Sequence, residues 1–84
     1  MTRYTVVWDD DALDELAGIW VRANDRKAIT NAVALIDAQL AIGADRMGDE
    51  VHEGMRALIA SPIRVLYEVE AEDRLLRVLA VALL

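Results

Sequence analysis

Apolar and polar residues alternate at the two ends of this chain and recur at helical spacing between them. From Arg3 to Trp8, Tyr4, Val6 and Trp8 fall on one side, and Thr5 and Val7 on the other. β-Branched and aromatic residues in strict alternation predict a strand. Asp9-Asp10-Asp11 ends it, and one of these aspartates is expected to cap the helix that follows, where a carboxylate suits the free N–H groups and the dipole. That helix is predicted over Asp10–Ala23. Leu13, Leu16, Ala17 and Trp20 recur at i, i+3, i+4 and i+7, and Asp14, Glu15 and Arg22 face water. Trp20 reads as a core anchor. Asn24-Asp25 breaks the pattern. Ile29, Ala32, Val33, Ile36 and Leu40 then repeat the helical spacing through Ile42, with Gly43 as the stop. Two helices joined so briefly form an antiparallel hairpin.

The pattern changes after Gly43. Gly43 to Glu50 (GADRMGDE) mixes glycine with charge and reads as a loop. Val51 to Ala60 reads as a second strand whose first half, VHEG, fits strand and loop equally. Ser61-Pro62 interrupts it, Ile63 to Val69 forms a third strand, Glu70-Ala71-Glu72-Asp73 turns, and Leu75 to Leu84 forms the last. The expected fold is a single α+β domain over residues 1–84, in the order β-α-α-β-β-β. Its last three strands form an antiparallel meander, with the helices packed on one sheet face. Side chains alternate along strands. Ile63, Val65, Tyr67, Val69, Leu76, Val78, Ala80 and Ala82 are therefore expected toward the helices. Arg64, Leu66, Glu68, Leu75, Arg77 and Leu79 share the other face. That second set is too polar for a core and too apolar for an ordinary wet face, which suggests a binding surface. The second strand has two registers. A two-residue Ser61-Pro62 turn places Met55, Ala57 and Ile59 beside Arg64, whereas a three-residue loop places Arg56 and Leu58 there.

Composition narrows the function classes. Eighty-four residues support one core, and at 5% aromatic with no Phe it must be built mainly from Leu, Val, Ile and Ala. A domain this small gains from a partner or a second copy. With no cysteine there is neither a disulfide framework nor a thiolate metal site. His52 is the only histidine and has no co-ligands in the sequence, so no metal or cofactor is expected and His52 reads as exposed. A net charge of −6 argues against non-specific nucleic-acid binding. No signal-like leader and no run of about 20 apolar residues is present. The expectation is a cytoplasmic protein without a membrane segment.

The element order resembles the RelE/ParE superfamily of bacterial type II toxins (plasmid-stabilisation toxin-like). The resemblance is carried by Arg3-Tyr4-Thr5-Val6-Val7-Trp8, the acidic cap and Ala12-Leu13-Asp14-Glu15-Leu16. It is carried above all by Pro62-Ile63-Arg64-Val65-Leu66-Tyr67-Glu68-Val69, which is similar to that family's arginine- and tyrosine-bearing strand. The hairpin Glu72-Asp73-Arg74 and the closing Val78-Leu79-Ala80-Val81 continue it. The resemblance implies a growth-inhibiting toxin neutralised by a cognate antitoxin, with the ribosome and its mRNA as the target in ribonuclease members. It also implies Arg64 as a phosphate or transition-state stabiliser, a role a guanidinium fork suits; Arg56 and Arg77, which have no exact counterpart in the family, are candidate helpers. The ribonucleases carry lysines on the second strand where this chain has Met55 and Ala57. They also carry a basic, tyrosine-bearing tail where this chain reads Val81-Ala82-Leu83-Leu84, and no general base is evident. Gyrase-poisoning members also rely on such a C-terminal segment. Arg64 thus has three readings: a cross-sheet salt bridge with Glu68, a partner contact, or catalysis. Leu66, Arg77 and Leu79 are the expected partner-binding residues. The alternative to a toxin is a degenerate interaction module, homodimeric through Leu75–Leu84.

Overall fold

The computed structural model describes residues 3–84. It contains strand β1 (Thr5–Trp8), helices α1 (Asp10–Arg22) and α2 (Arg26–Gly43), and strands β2 (Asp49–His52), β3 (Met55–Ala60), β4 (Ile63–Glu70) and β5 (Leu75–Leu83). One five-stranded sheet runs β1-β5-β4-β3-β2. The α+β class, the element order and the helices on the sheet agree with the pattern of the sequence. The region beyond α2 differs in strand count. Asp49 and Glu50, expected in a loop, join Val51 and His52 in a separate strand, β2, that folds back on β3. Gly54, at φ +79°, makes that hairpin possible.

β1 pairs in parallel with β5, Thr5 opposite Leu75 and Trp8 opposite Val78. It covers only the first half of that nine-residue strand. α1 continues alongside the rest. Asp9 donates its backbone N–H to Val78 O (3.0 Å), and the Glu15 carboxylate accepts the N–H of Val81 (3.3 Å). A helix thus covers the edge that β1 leaves bare, which is one way a sheet avoids exposing unpaired backbone.

This position gives α1 two apolar sides. Ala12 and Ile19 are buried toward the sheet, with Leu16 packed beside them. The expected stripe of Leu13, Ala17 and Trp20 instead faces the cleft between the helices, and Trp20 is 42% exposed rather than a core anchor. The expected aspartate cap on α1 is also absent. Asp9 stands at the N-cap position but its side chain makes no capping bond and turns to Arg77 (3.3 Å). α2 is capped, by Asp25 accepting from the N–H of Ala28 at 3.0 Å. Its Ile29, Ala32, Ile36 and Leu40 meet Ile63, Val65, Tyr67, Leu76 and Val78 in the core.

The Ser61-Pro62 turn, whose peptide bond is cis, has two residues, with Ala60 opposite Ile63. This selects the first of the two registers. Met55, Ala57 and Ile59 share a face with Arg64, and Arg56 faces the helices. A second departure lies in β5. Leu66 opposes Ala80 but Tyr67 opposes Val78, so Leu79 is a bulge. The extra residue reverses the alternation beyond it. Val81, 3% exposed, takes the inward position expected for Ala80 and Ala82, which turn outward.

Candidate functional site

The sheet face away from the helices is the candidate site, and its side chains follow from the register. Across β3, β4 and β5 lie the rows Ile59–Arg64–Ala82, Ala57–Leu66–Ala80 and Met55–Glu68–Arg77. β1 adds Val7 beside Arg77, and β2 adds Asp49 beside Ala57. The expected partner-binding residues all lie on this half of the molecule, and Leu66, Arg77 and Leu79 are each half-buried.

The arginines differ sharply. Arg77 reaches Asp9 at 3.3 Å and Glu70 at 4.0 Å, so its charge is matched by carboxylates on both sides. Arg64 is exposed, its neighbours across the strands are Ile59 and Ala82, and it makes no ion pair among the described residues. The expected bridge to Glu68 does not form. Four residues along one strand are about 13 Å apart. Arg64 is therefore an unmatched guanidinium between apolar side chains on an otherwise acidic face.

Arg56 is not beside Arg64. It lies opposite Tyr67 on the helix-facing side, where its Nε donates to Met47 O (2.7 Å) and its Nη2 to Gly48 O (3.1 Å). Tyr67 is fully buried and its hydroxyl contacts Met47 O (2.7 Å) and Ala44 O (2.9 Å). Burial pushes the Tyr67 phenol above its ordinary value, and the nearby Arg56 partly offsets this. Arg56 and Arg64 therefore lie on opposite faces of the sheet.

A second surface was not foreseen as one. Leu13, Leu16, Ala17, Trp20 and Val21 of α1 and Ile29, Thr30 and Val33 of α2 line an apolar cleft of about 380 Å³. Arg26 braces Trp20. It lies 4.5 Å above the Trp20 ring and donates to Trp20 O and Val21 O, satisfying carbonyls at the end of α1. The signal was present in the sequence. Ala12, Leu16 and Ile19 already supply a core face, so Leu13, Trp20 and Val21 were surplus to it.

The chain matches the family described as the ParE toxin of the type II toxin–antitoxin system, parDE, over residues 6–82. Among solved structures it is similar to a chain of the RelBE2 toxin–antitoxin complex from Mycobacterium tuberculosis. That match has a TM-score of 0.82 and 20% identity, and covers 100% of this chain and 94% of that one. It is also similar to a chain of the chromosomal ParDE system of P. aeruginosa, with a TM-score of 0.73, 16% identity and coverage of 100% and 99%. The isolated E. coli RelE toxin follows at a TM-score of 0.58, 19% identity and coverage of 95% and 83%. No curated protein matches by sequence. The structural likenesses carry the fold, and the family match carries membership.

Proposed function

Because this chain belongs to the family of ParE toxins of type II toxin–antitoxin systems, we propose that it arrests growth by gripping a macromolecular target through the open sheet face. In this reading a cognate antitoxin silences it in the cytoplasm by covering that face and the cleft between the helices. The observation that carries the reading is Arg64, among the described residues the one strand arginine on this face without an ion pair, flanked across the strands by Ile59 and Ala82. An interface built around a central arginine with apolar surroundings is a common protein-recognition arrangement. Leu66 and Leu79 supply apolar floor, and Arg77 with its two carboxylates supplies a polar rim.

The same face speaks against RNA cleavage as the mode of action. With Arg77 matched by Asp9 and Glu70, the Asp49 and Glu68 carboxylates still outnumber the one unmatched guanidinium, and phosphate binding needs the reverse balance. Arg56 is committed to the Met47 and Gly48 carbonyls and offers no second phosphate contact. The module reading, with a dimer formed along β5, loses support for a different reason. β4 flanks one side of β5, and β1 and α1 flank the other.

Tightly induced expression in a bacterial host, with Arg64→Ala beside the wild type, tests the proposal. The wild type is expected to halt growth and the variant to leave it unchanged at equal soluble yield, with cellular mRNA intact by primer extension. Equal arrest by both proteins would remove Arg64 from the active surface. Arrest accompanied by mRNA cleavage would restore the ribonuclease reading.

A further inference from the structure

Arg56 and Tyr67 sit directly opposite one another on β3 and β4, on the helix-facing side. Between them they hold three carbonyls of the segment that leaves α2: Ala44, Met47 and Gly48. Backbone carbonyls covered from water need hydrogen-bond partners, and here the sheet supplies them. The next stretch of chain is weakly held. All four residues of β2 are exposed, and its ladder with β3 is broken between Glu50 and His52. No residue from 48 to 54 belongs to the core. Apart from the β2–β3 backbone bonds, the hydrogen bonds that tie residues 44–54 to the sheet are those made by Arg56 and Tyr67 and one from the Val69 N–H to Gly54 O (3.1 Å) at the hairpin tip.

We propose that the Arg56–Tyr67 pair is a latch, and that residues 44–53 open from the sheet as one unit, hinged at Gly54, which stays bonded to Val69, while α1, α2, β4 and β5 stay folded. Regions with few buried apolar contacts open at lower free energy than the core, and this segment has few beyond Ala44 and the partly buried Met47. Opening alters the candidate site. Closed, β2 sets the Asp49 carboxylate beside Ala57 on the open face. Open, that carboxylate leaves and the edge of β3 is bared. The latch thus sets both the charge and the width of the surface on which Arg64 stands, so Arg56 and Tyr67 are positioning residues for it. The inference is independent of the toxin reading, because it concerns the isolated chain.

Amide hydrogen exchange on the full chain, comparing wild type, Tyr67→Phe and Arg56→Lys, tests it. Each variant removes part of the latch, and Arg56→Lys keeps the charge while losing the fork. Protection of the β2 amides is expected to fall by about tenfold, the equivalent of one such hydrogen bond, with central β4 and β5 amides unchanged in Arg56→Lys. Unchanged β2 protection in both variants would overturn the proposal. So would a fall in β2 that is matched in β4 and β5, which would mean that the pair stabilises only the whole fold.

Discussion

Replacing Gly48 by alanine should damage this protein far more than the same change at Gly54, six residues away. Both glycines have positive φ, +66° and +79°, and an L-residue in that region costs about 1–2 kcal/mol. At Gly54 nothing lies within 4 Å of where a Cβ would stand, so the backbone term is the whole cost. At Gly48 the Cβ would lie 2.1 Å from Ala57 O, 2.8 Å from Ala57 C and 3.3 Å from Leu58 Cα. These are β3 backbone atoms, and no rotamer change relieves them. The segment must lift, weakening the Asp49–Ala57 pairing and the Arg56 bond to Gly48 O. At about 1 kcal/mol for each hydrogen bond lost, the total reaches about 3–5 kcal/mol. A domain of this size holds on the order of 4–13 kcal/mol in all. Urea unfolding followed by Trp8 and Trp20 fluorescence, with a slope of about 1 kcal/mol/M, should show Gly54→Ala about 1–2 M below wild type. Gly48→Ala should fall further, by up to about 3 M, since local opening of the segment limits the loss. A Gly48→Ala midpoint equal to or above that of Gly54→Ala would refute the reasoning.

Two further outcomes follow from the same geometry. Tyr67 has its phenol pKa raised by burial, so its contribution is fully present below the unfolded value of about 10 and is lost as pH rises through the raised folded value. Urea midpoints measured between about pH 8 and pH 11 should therefore drop at the alkaline end, and by less in Tyr67→Phe; an identical drop in both proteins would show that other groups cause it. Arg77→Ala should change thermal stability by less than about 1 kcal/mol, because the Arg77 side chain and both of its carboxylate partners are more than a third exposed and the pairing is screened. A larger loss in a melting experiment would mean that the pair organises the β1–β5 junction.

Much of the architecture was legible because the two periods are cleanly separated. Ile29, Ala32, Ile36 and Leu40 could only face a core at helical spacing, and Val65, Tyr67, Leu76 and Val78 alternate into the same core. What escaped turns on single residues. Leu79 adds one position to β5, and no composition signal marks it, yet it exchanges Val81 for Ala80 and Ala82. The Ser61-Pro62 turn fixes whether Arg56 joins Arg64, and two loop lengths fitted the sequence equally. β2 is all exposed, so burial left no alternation in it to read. Trp20 was misplaced because α1 lies beside the sheet and between two neighbours, so an amphipathic stripe there need not mark the buried side. Arg64 was visible as an arginine in an apolar strand. Its lack of a partner was not, because that depends on Ile59 and Ala82 arriving from elsewhere in the chain.

The parallel pairing of β1 with β5 also bears on synthesis. Thr5 leaves the ribosome 70 residues ahead of its partner, Leu75. Until β5 arrives, β1 has no ladder and α1 has no strand to lie along. The nascent chain must carry the apolar side chains of its N-terminal half without the sheet that buries them. Contacts this distant in sequence are also slow to form. The finished surface around Arg64 is completed by Ala82, so a chain stalled before β5 is unfinished in fold and inert at the proposed site alike.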